Sequence, residues 1–335
     1  MNFNILKDTR VLNVKHRIPW IDNVKFLAIW CVIFGHLNGQ IFTHGRLGFE
    51  MINLFIVIFN MPLFVFMSGY SNYKSLRKLD GTKDLWNYLV KTFERIIIPC
   101  IIPCIIVYLI RPEMEHVDFK HYWFLVMLSV IQISIGCVFY FTNKLHYGEM
   151  FGWVVFIILM VCLNRYSTSE LCWYYLYGGA VRKFEMKGTD IFKMSRKFYL
   201  LVPVGIVLIL FTYVFKYQFY TNTIFSMYQD GVFYLWILRM ICACCLIYVI
   251  ICIVQKCSSK YNFISYMGSK TLGLYIWSGV LLDICYRYHV VLNGDSFLSW
   301  ITTVLVSFLA VLLTMCIIKL LELNRITNFL FFGKV

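Results

Sequence analysis

The sequence predicts an all-α fold, a polytopic bundle of about ten membrane-spanning helices with both termini in the cytoplasm, and three observations predict it. The chain is 60% hydrophobic and only 14% charged, with a mean hydropathy of +0.72, whereas charged residues approach a quarter of a typical soluble domain. Its apolar residues come in runs close to the length that crosses a hydrocarbon core. Its Lys and Arg gather between alternate runs, as in chains whose basic loops stay in the cytoplasm.

The runs fall near 20–38, 48–70, 95–111, 121–141, 147–164, 169–182, 198–216, 231–255, 269–290 and 297–319. The second contains Pro62, the third opens into Pro99 and Pro103, and the sixth, ELCWYYLYGGAVR, is short for a span. Residues 20–320 therefore read as one transmembrane domain, flanked by cytoplasmic tails at 1–19 and 321–335. The N-terminal tail has scattered charges and no continuous apolar run, so a removable signal peptide is not expected. With the N-terminus inside, the inner segments hold 23 of the 31 Lys and Arg and the outer ones 6, while Lys25 and Arg239 lie within spans. The formal charge of +14 is thus an orientation signal and not a nucleic-acid footprint. The 13 Cys lie almost all inside apolar runs, where a thiol behaves as a small hydrophobe, so neither a disulfide framework nor a metal site is expected. No internal repeat or pair of matching broken helices suggests a transporter built from inverted repeats.

The first span, WIDNVKFLAIWCVIFGH, carries Asp22, Lys25 and His36. At about 100° per residue Lys25 and His36 are about 20° off registry, and Asp22 sits one turn before Lys25, so the three share one face. The rise of about 1.5 Å per residue puts His36 about 16 Å beyond Lys25. Snorkelling and a boundary ion pair would explain any one of these groups alone. A polar stripe along a single helix has to look into the bundle or a wet cavity.

Other candidates are more scattered. In the second span Asn53 and Asn60 share a face, and Pro62 leaves a carbonyl one turn earlier without its helical donor. Ser68 and Gly69 read as a small-residue helix contact. Lys91 and Arg95, before the third span, are either positive-inside flanking or a pocket for phosphates. Arg239 lies too deep to snorkel easily and calls for a carboxylate, with Glu50 and Asp283 as the available partners.

RIPWIDNVKFLAIWCVIFGH, FNMPLFVFMSGY, KTFERIIIPCIIP, HYWFLVML and YMGSKTLGLYIW occur in that order. The sequence resembles the acyltransferase-3 family in these motifs, over about residues 17 to 280, and is most similar to the branch of fucose 4-O-acetylases and related sugar O-acetyltransferases. The resemblance implies an enzyme of the cell membrane that moves an acetyl group from cytoplasmic acetyl-coenzyme A to a hydroxyl of a cell-envelope polysaccharide or lipid-linked sugar. It also implies that Lys25 and His36, with Asp22 before them, are the catalytic residues, and that Lys91 and Arg95 bind the coenzyme. Asn60, Glu50 and Arg239 are candidate substrate-binding residues. Lys25 stands where many members of the family have arginine. Asn60 and Ser278 stand where the branch often has histidine, so a detailed copy of its substrate site is not implied.

Acyl transfer needs a base for the hydroxyl, and histidine, titrating near neutrality, is the usual side chain for it, giving about 10²–10⁴-fold. His36 is expected to act as that base or to carry the acyl group itself. The partners expected are acyl-coenzyme A, the glycan acceptor and membrane lipid, with no metal and no nucleic acid. The rival classes are a transporter or flippase of a glycan or anionic substrate, with the stripe and Arg239 lining its path, and a structural partner in envelope synthesis.

Overall fold

The computed structural model describes residues 18–40, 47–110, 122–143, 145, 148–163, 168–189, 191–192, 233–258, 260–287 and 297–333. Among them every regular element is helical. The helices are α1 (Pro19–Gln40), α2 (Leu47–Leu76), α3 (Thr82–Thr92), α4 (Ile98–Ile110), α5 (Trp123–Thr142), α6 (Gly148–Leu163) and α7 (Thr168–Met186). They continue with α8 (Phe233–Cys257), α9 (Phe263–Gly268), α10 (Thr271–Arg287), α11 (Phe297–Leu321) and α12 (Arg325–Phe332). A π-helical turn, Phe93–Ile97, joins α3 to α4.

Four stretches are long and apolar enough to cross a membrane: Pro19–Leu37, Trp123–Thr142, Ile237–Cys257 and Ile301–Leu321. Gly148–Leu163 and Thr271–Cys285 are apolar but shorter. Helices also underlie the expected second, third and sixth spans, while the seventh, 198–216, lies outside the described residues.

The bundle is built around α1, which packs against α2, α8, α9, α10 and α11. Val24, Ala28, Ile29 and Ile33 are fully buried. A helix so surrounded is apolar on nearly all sides, because little of it faces solvent or lipid. Midway along it, the Trp30 indole N–H donates to Ser307 Oγ at 2.9 Å and the ring stacks on Phe308 at 5.1 Å. Asn23 fixes its start: it donates to Ser258 Oγ at 2.6 Å and accepts from the Ser265 hydroxyl at 2.7 Å. The outer helices are reversed in polarity relative to a soluble protein. In α11 the small polar Thr303, Ser307 and Thr314 are fully buried while Leu305, Leu309, Leu312 and Leu313 are exposed. Where lipid replaces water, contact between helices comes from close packing and polar pairs rather than from hiding leucine.

The most extensive helix contact among the described residues is between α2 and α7, and its close approach is reciprocal. A Cβ on Gly69 of α2 would lie 2.0 Å from the Tyr175 carbonyl oxygen, and one on Gly178 of α7 would lie 2.0 Å from that of Phe66. The contact expected of Ser68 and Gly69 is thus made by the glycine, while Ser68 donates to the Phe64 carbonyl one turn back at 2.9 Å. Asn72 then donates to the hydroxyls of Tyr88 and Tyr175, at 2.5 and 2.6 Å, and ties α3 into the same contact.

Pro99 explains the π turn. It has no N–H for the Arg95 carbonyl, and its ring would crowd that oxygen in a regular helix. The backbone widens one turn earlier, with the Ile98 N–H donating to the Phe93 carbonyl. Against this turn ends α12, formed by residues that follow the last expected span. Phe331 and Phe332 are buried, Trp277 meets Phe331 at 5.0 Å, and Gly333, at φ 58°, closes the helix with its N–H on the Phe329 carbonyl. Lys270 pairs with Glu322 just before α12.

Arg239 has a partner that the sequence reading did not name: its guanidinium lies 3.1 Å from the Glu170 carboxylate, joining α8 to the start of α7. The Glu50 side chain lies outside the described residues.

Two outcomes test this packing. Gly178→Leu forces α2 and α7 apart and should lower stability by about 3 kcal/mol, at the upper end of overpacking costs, read as the thermal midpoint in detergent. Glu170→Gln and Arg239→Gln should each destabilise, and the double variant should cost less than their sum by about 1 kcal/mol, the usual size of a polar coupling between membrane helices.

Candidate active site

Two cavities open along the face of α1 that carries its ionisable groups. The larger, about 340 Å³, is lined by Asp22 and Lys25 of α1, Tyr70, Ser71 and Lys74 of α2, Arg182 of α7, and Ser269 and Thr271 between α9 and α10. Its size is at the lower end of small-molecule sites. The smaller, about 40 Å³, is lined by Val32 and His36 of α1, Tyr122 before α5, and Tyr275, Ser278, Gly279, Leu282 and Asp283 of α10. Asp22, Lys25, Val32 and His36 recur at helical spacing, so the stripe read from the sequence is the wall of both cavities. Between them on the helix stand Ala28 and Ile29, both fully buried.

The larger cavity is basic. Lys25, Lys74 and Arg182 bring three cations from three helices to one wall, with the hydroxyls of Ser71, Ser269 and Thr271 beside them. Arg182 is held in place: it lies 2.9 Å from the Glu185 carboxylate, donates to the Tyr70 hydroxyl at 2.9 Å and sits 5.0 Å from the centroid of the Tyr70 ring. Tyr70 in turn donates to Glu185 at 2.5 Å and meets Trp20 edge-on at 5.4 Å. A guanidinium fixed by a carboxylate, a phenol and a ring loses little freedom on meeting a phosphate. Asp22 is buried, and α9 approaches it so closely that a Cβ on Gly268 would lie 1.7 Å from the Asp22 carbonyl oxygen. Only a residue without a side chain lets α9 close this wall.

The smaller cavity joins a histidine to an acid. His36 is exposed, while Asp283 is only 2% exposed. Tyr122 donates to the Ile276 carbonyl at 3.4 Å and Ser278 to that of Tyr275 at 3.2 Å, so both hydroxyl protons are turned to the backbone. Val32 and Leu282 supply the apolar part of the wall.

Of the expected catalytic residues, Asp22 and Lys25 line one cavity and His36 the other. Lys91 and Arg95, expected to bind the coenzyme, are exposed on α3 and the π turn and line neither. The cations at the larger cavity are instead Lys74, which the sequence presents as one more flanking lysine, and Arg182. Asn60 is buried and accepts the Met61 N–H at 2.6 Å beside Pro62, and it lines neither cavity. Arg239 is occupied by Glu170. Among the described residues no group of three His, Cys, Asp or Glu is placed to hold a metal ion.

Comparison with known proteins identifies the family. The family described as an acyltransferase domain matches residues 18–319. Neither a curated protein nor a solved structure matches the chain. A match that runs from the start of α1 almost to the end of α11 takes in both cavities and every helix that lines them, and the chain belongs to the acyltransferase-3 family.

Proposed function

We propose that the protein is an integral membrane O-acetyltransferase of the fucose 4-O-acetylase-like branch, taking acetyl from cytoplasmic acetyl-coenzyme A to a hydroxyl of a cell-envelope glycan or lipid-linked sugar. The observation that carries this reading is that one helix lines both a basic cavity near its start and a histidine cavity near its end. The basic cavity suits the coenzyme's phosphates: Arg182 and Lys74 offer fork and point charges, Lys25 a third cation nearer the bundle centre, and Asp22 orients Lys25. These residues replace Lys91 and Arg95 as the proposed donor site. The positive-inside count puts that end in the cytoplasm, where the donor is.

At the other cavity His36 takes the proton of the acceptor hydroxyl as its oxygen attacks the thioester carbonyl. The C–O bond forms, the C–S bond breaks, and the imidazolium returns the proton to the departing thiolate. An acetyl-imidazole on His36 would accomplish the same transfer in two steps. Either route requires the thioester arm to pass Ala28 and Ile29, so the layer between the cavities opens when donor binds. Transport of a glycan is less well supported, because the family is one of acyltransferases.

His36→Ala should lower transfer of labelled acetyl from acetyl-coenzyme A to glycan in membranes by at least about 10²-fold, and transfer at the wild-type rate would remove His36 from the chemistry. Lys74→Gln and Arg182→Gln should each raise the KM for acetyl-coenzyme A about tenfold, the worth of one charge-assisted hydrogen bond. The rise should shrink as salt screens the remaining cations, and an unchanged KM in both variants would move the donor elsewhere.

A further inference from the structure

We propose that α3 is a docking surface for anionic phospholipid: its apolar face sits among the acyl chains of the inner leaflet, and Lys83, Lys91 and Arg95 hold the headgroups. The helix has three faces. Tyr88 and Thr92, one turn apart, are buried. Tyr88 packs on α5, where a Cβ on Gly136 would lie 2.4 Å from its ring, and its hydroxyl donates to the Gln132 carbonyl at 3.1 Å. Trp86 and Phe93, seven residues apart and so about 20° off registry, are 67% and 49% exposed. Lys83, Asn87 and Lys91 recur at four-residue spacing about 110° further round, and they are exposed as well. A helix on the surface of a soluble domain turns its apolar stripe toward the core, whereas α3 turns Trp86 and Phe93 outward.

The level of α3 is set by α5, which is long and apolar enough to cross a membrane. Gln132 and Gly136 lie within that stretch. Asn143, just past its end, donates to the Leu76 and Leu79 carbonyls at 3.2 and 3.1 Å and so holds the turn before α3 at the same end. Phe141 is exposed there too, so the apolar surface reaches this turn. On the other side of the π turn it runs on along α4, where Ile101, Ile105 and Leu109 are exposed at one-turn spacing. The acyl chains that cover α4 therefore extend over Phe93 and Trp86, at the depth where tryptophan gathers in membrane proteins. The charge matches an anionic leaflet: from Lys74 to Arg95 the chain carries six Lys and Arg against three Asp and Glu. Of those acids, Asp84 is turned to the Gly81 N–H at 3.2 Å. The long stems of Lys83, Lys91 and Arg95 let their charges snorkel to headgroup phosphates. The positive-inside count puts this end at the cytoplasmic leaflet.

The test is lipid quenching of Trp86 in the full-length protein, reconstituted in vesicles of phosphatidylcholine and phosphatidylglycerol in equal amounts. Bromine is carried on the acyl chains of one lipid or of the other, and the Trp86 emission is the difference between wild type and Trp86→Phe. Both brominated lipids should quench that emission. Brominated phosphatidylglycerol should quench it about threefold more, the enrichment expected of a few cations near the surface. High salt should remove that excess while leaving the quenching itself, and so should Lys83→Gln, Lys91→Gln and Arg95→Gln combined. Equal quenching by the two lipids in wild type would overturn the headgroup site. A Trp86 that neither lipid quenches would overturn the seating in the leaflet and give this face to a protein partner or a second copy. Should Trp86→Phe not fold, Phe93→Trp adds a reporter to the same face, whose extra emission over wild type should obey the same two rules. The measurement involves neither acetyl transfer nor the two cavities, so it stands whatever reaction the protein performs.

Discussion

The structure depends on enclosing the charges of α1. A helix that carries Asp22, Lys25 and His36 along one face cannot present that face to acyl chains, so other helices must surround it. Five do. The enclosure is tight where it matters: α9 meets the backbone at Asp22 through Gly268, and Asn23 is bonded from two sides by Ser258 and Ser265. Elsewhere the contact is ordinary apolar packing with one indole bond at Trp30. The result is a central helix whose ionisable groups line two cavities between the helices that surround it.

Placing both spaces on one rigid element solves a geometric problem in membrane group transfer. In the proposed reaction the donor carries several phosphates and cannot enter the hydrocarbon, while the proposed envelope-glycan acceptor is not in the cytoplasm. A helix that rises about 1.5 Å per residue sets the separation of Lys25 and His36 at about 16 Å whatever the surrounding loops do. Between these two positions Ala28 and Ile29 are fully buried. The reactive arm of the donor, and not the protein charges, then has to cross.

What the sequence made legible follows from periodicity within one helix. The common face of Asp22, Lys25 and His36 could be computed from 3.6 residues per turn and is present in the fold. The groups that complete each cavity come from far along the chain, and no local pattern marks them. Lys74 resembles its neighbours Arg77 and Lys78, Arg182 resembles Lys183 and Lys187, and only the crossing of α2 and α7 selects one from each group. Lys91 and Arg95 line neither cavity, and sequence alone could not show it, since a basic segment before a span is the same string whether it faces solvent or a pocket. Arg239 was recognisable as needing an acid, but its partner Glu170 opens the short sixth run, where no local pattern marks it.

The widened turn at Phe93–Ile97 has a consequence for how the chain is made. Gly333 comes so close to it that a Cβ there would lie 2.1 Å from the Glu94 carbonyl oxygen. The last helix therefore latches onto a segment synthesised more than two hundred residues earlier. The contact forms only after residue 333 has been made, so the turn and α4 reach their final packing only when α12 is in place.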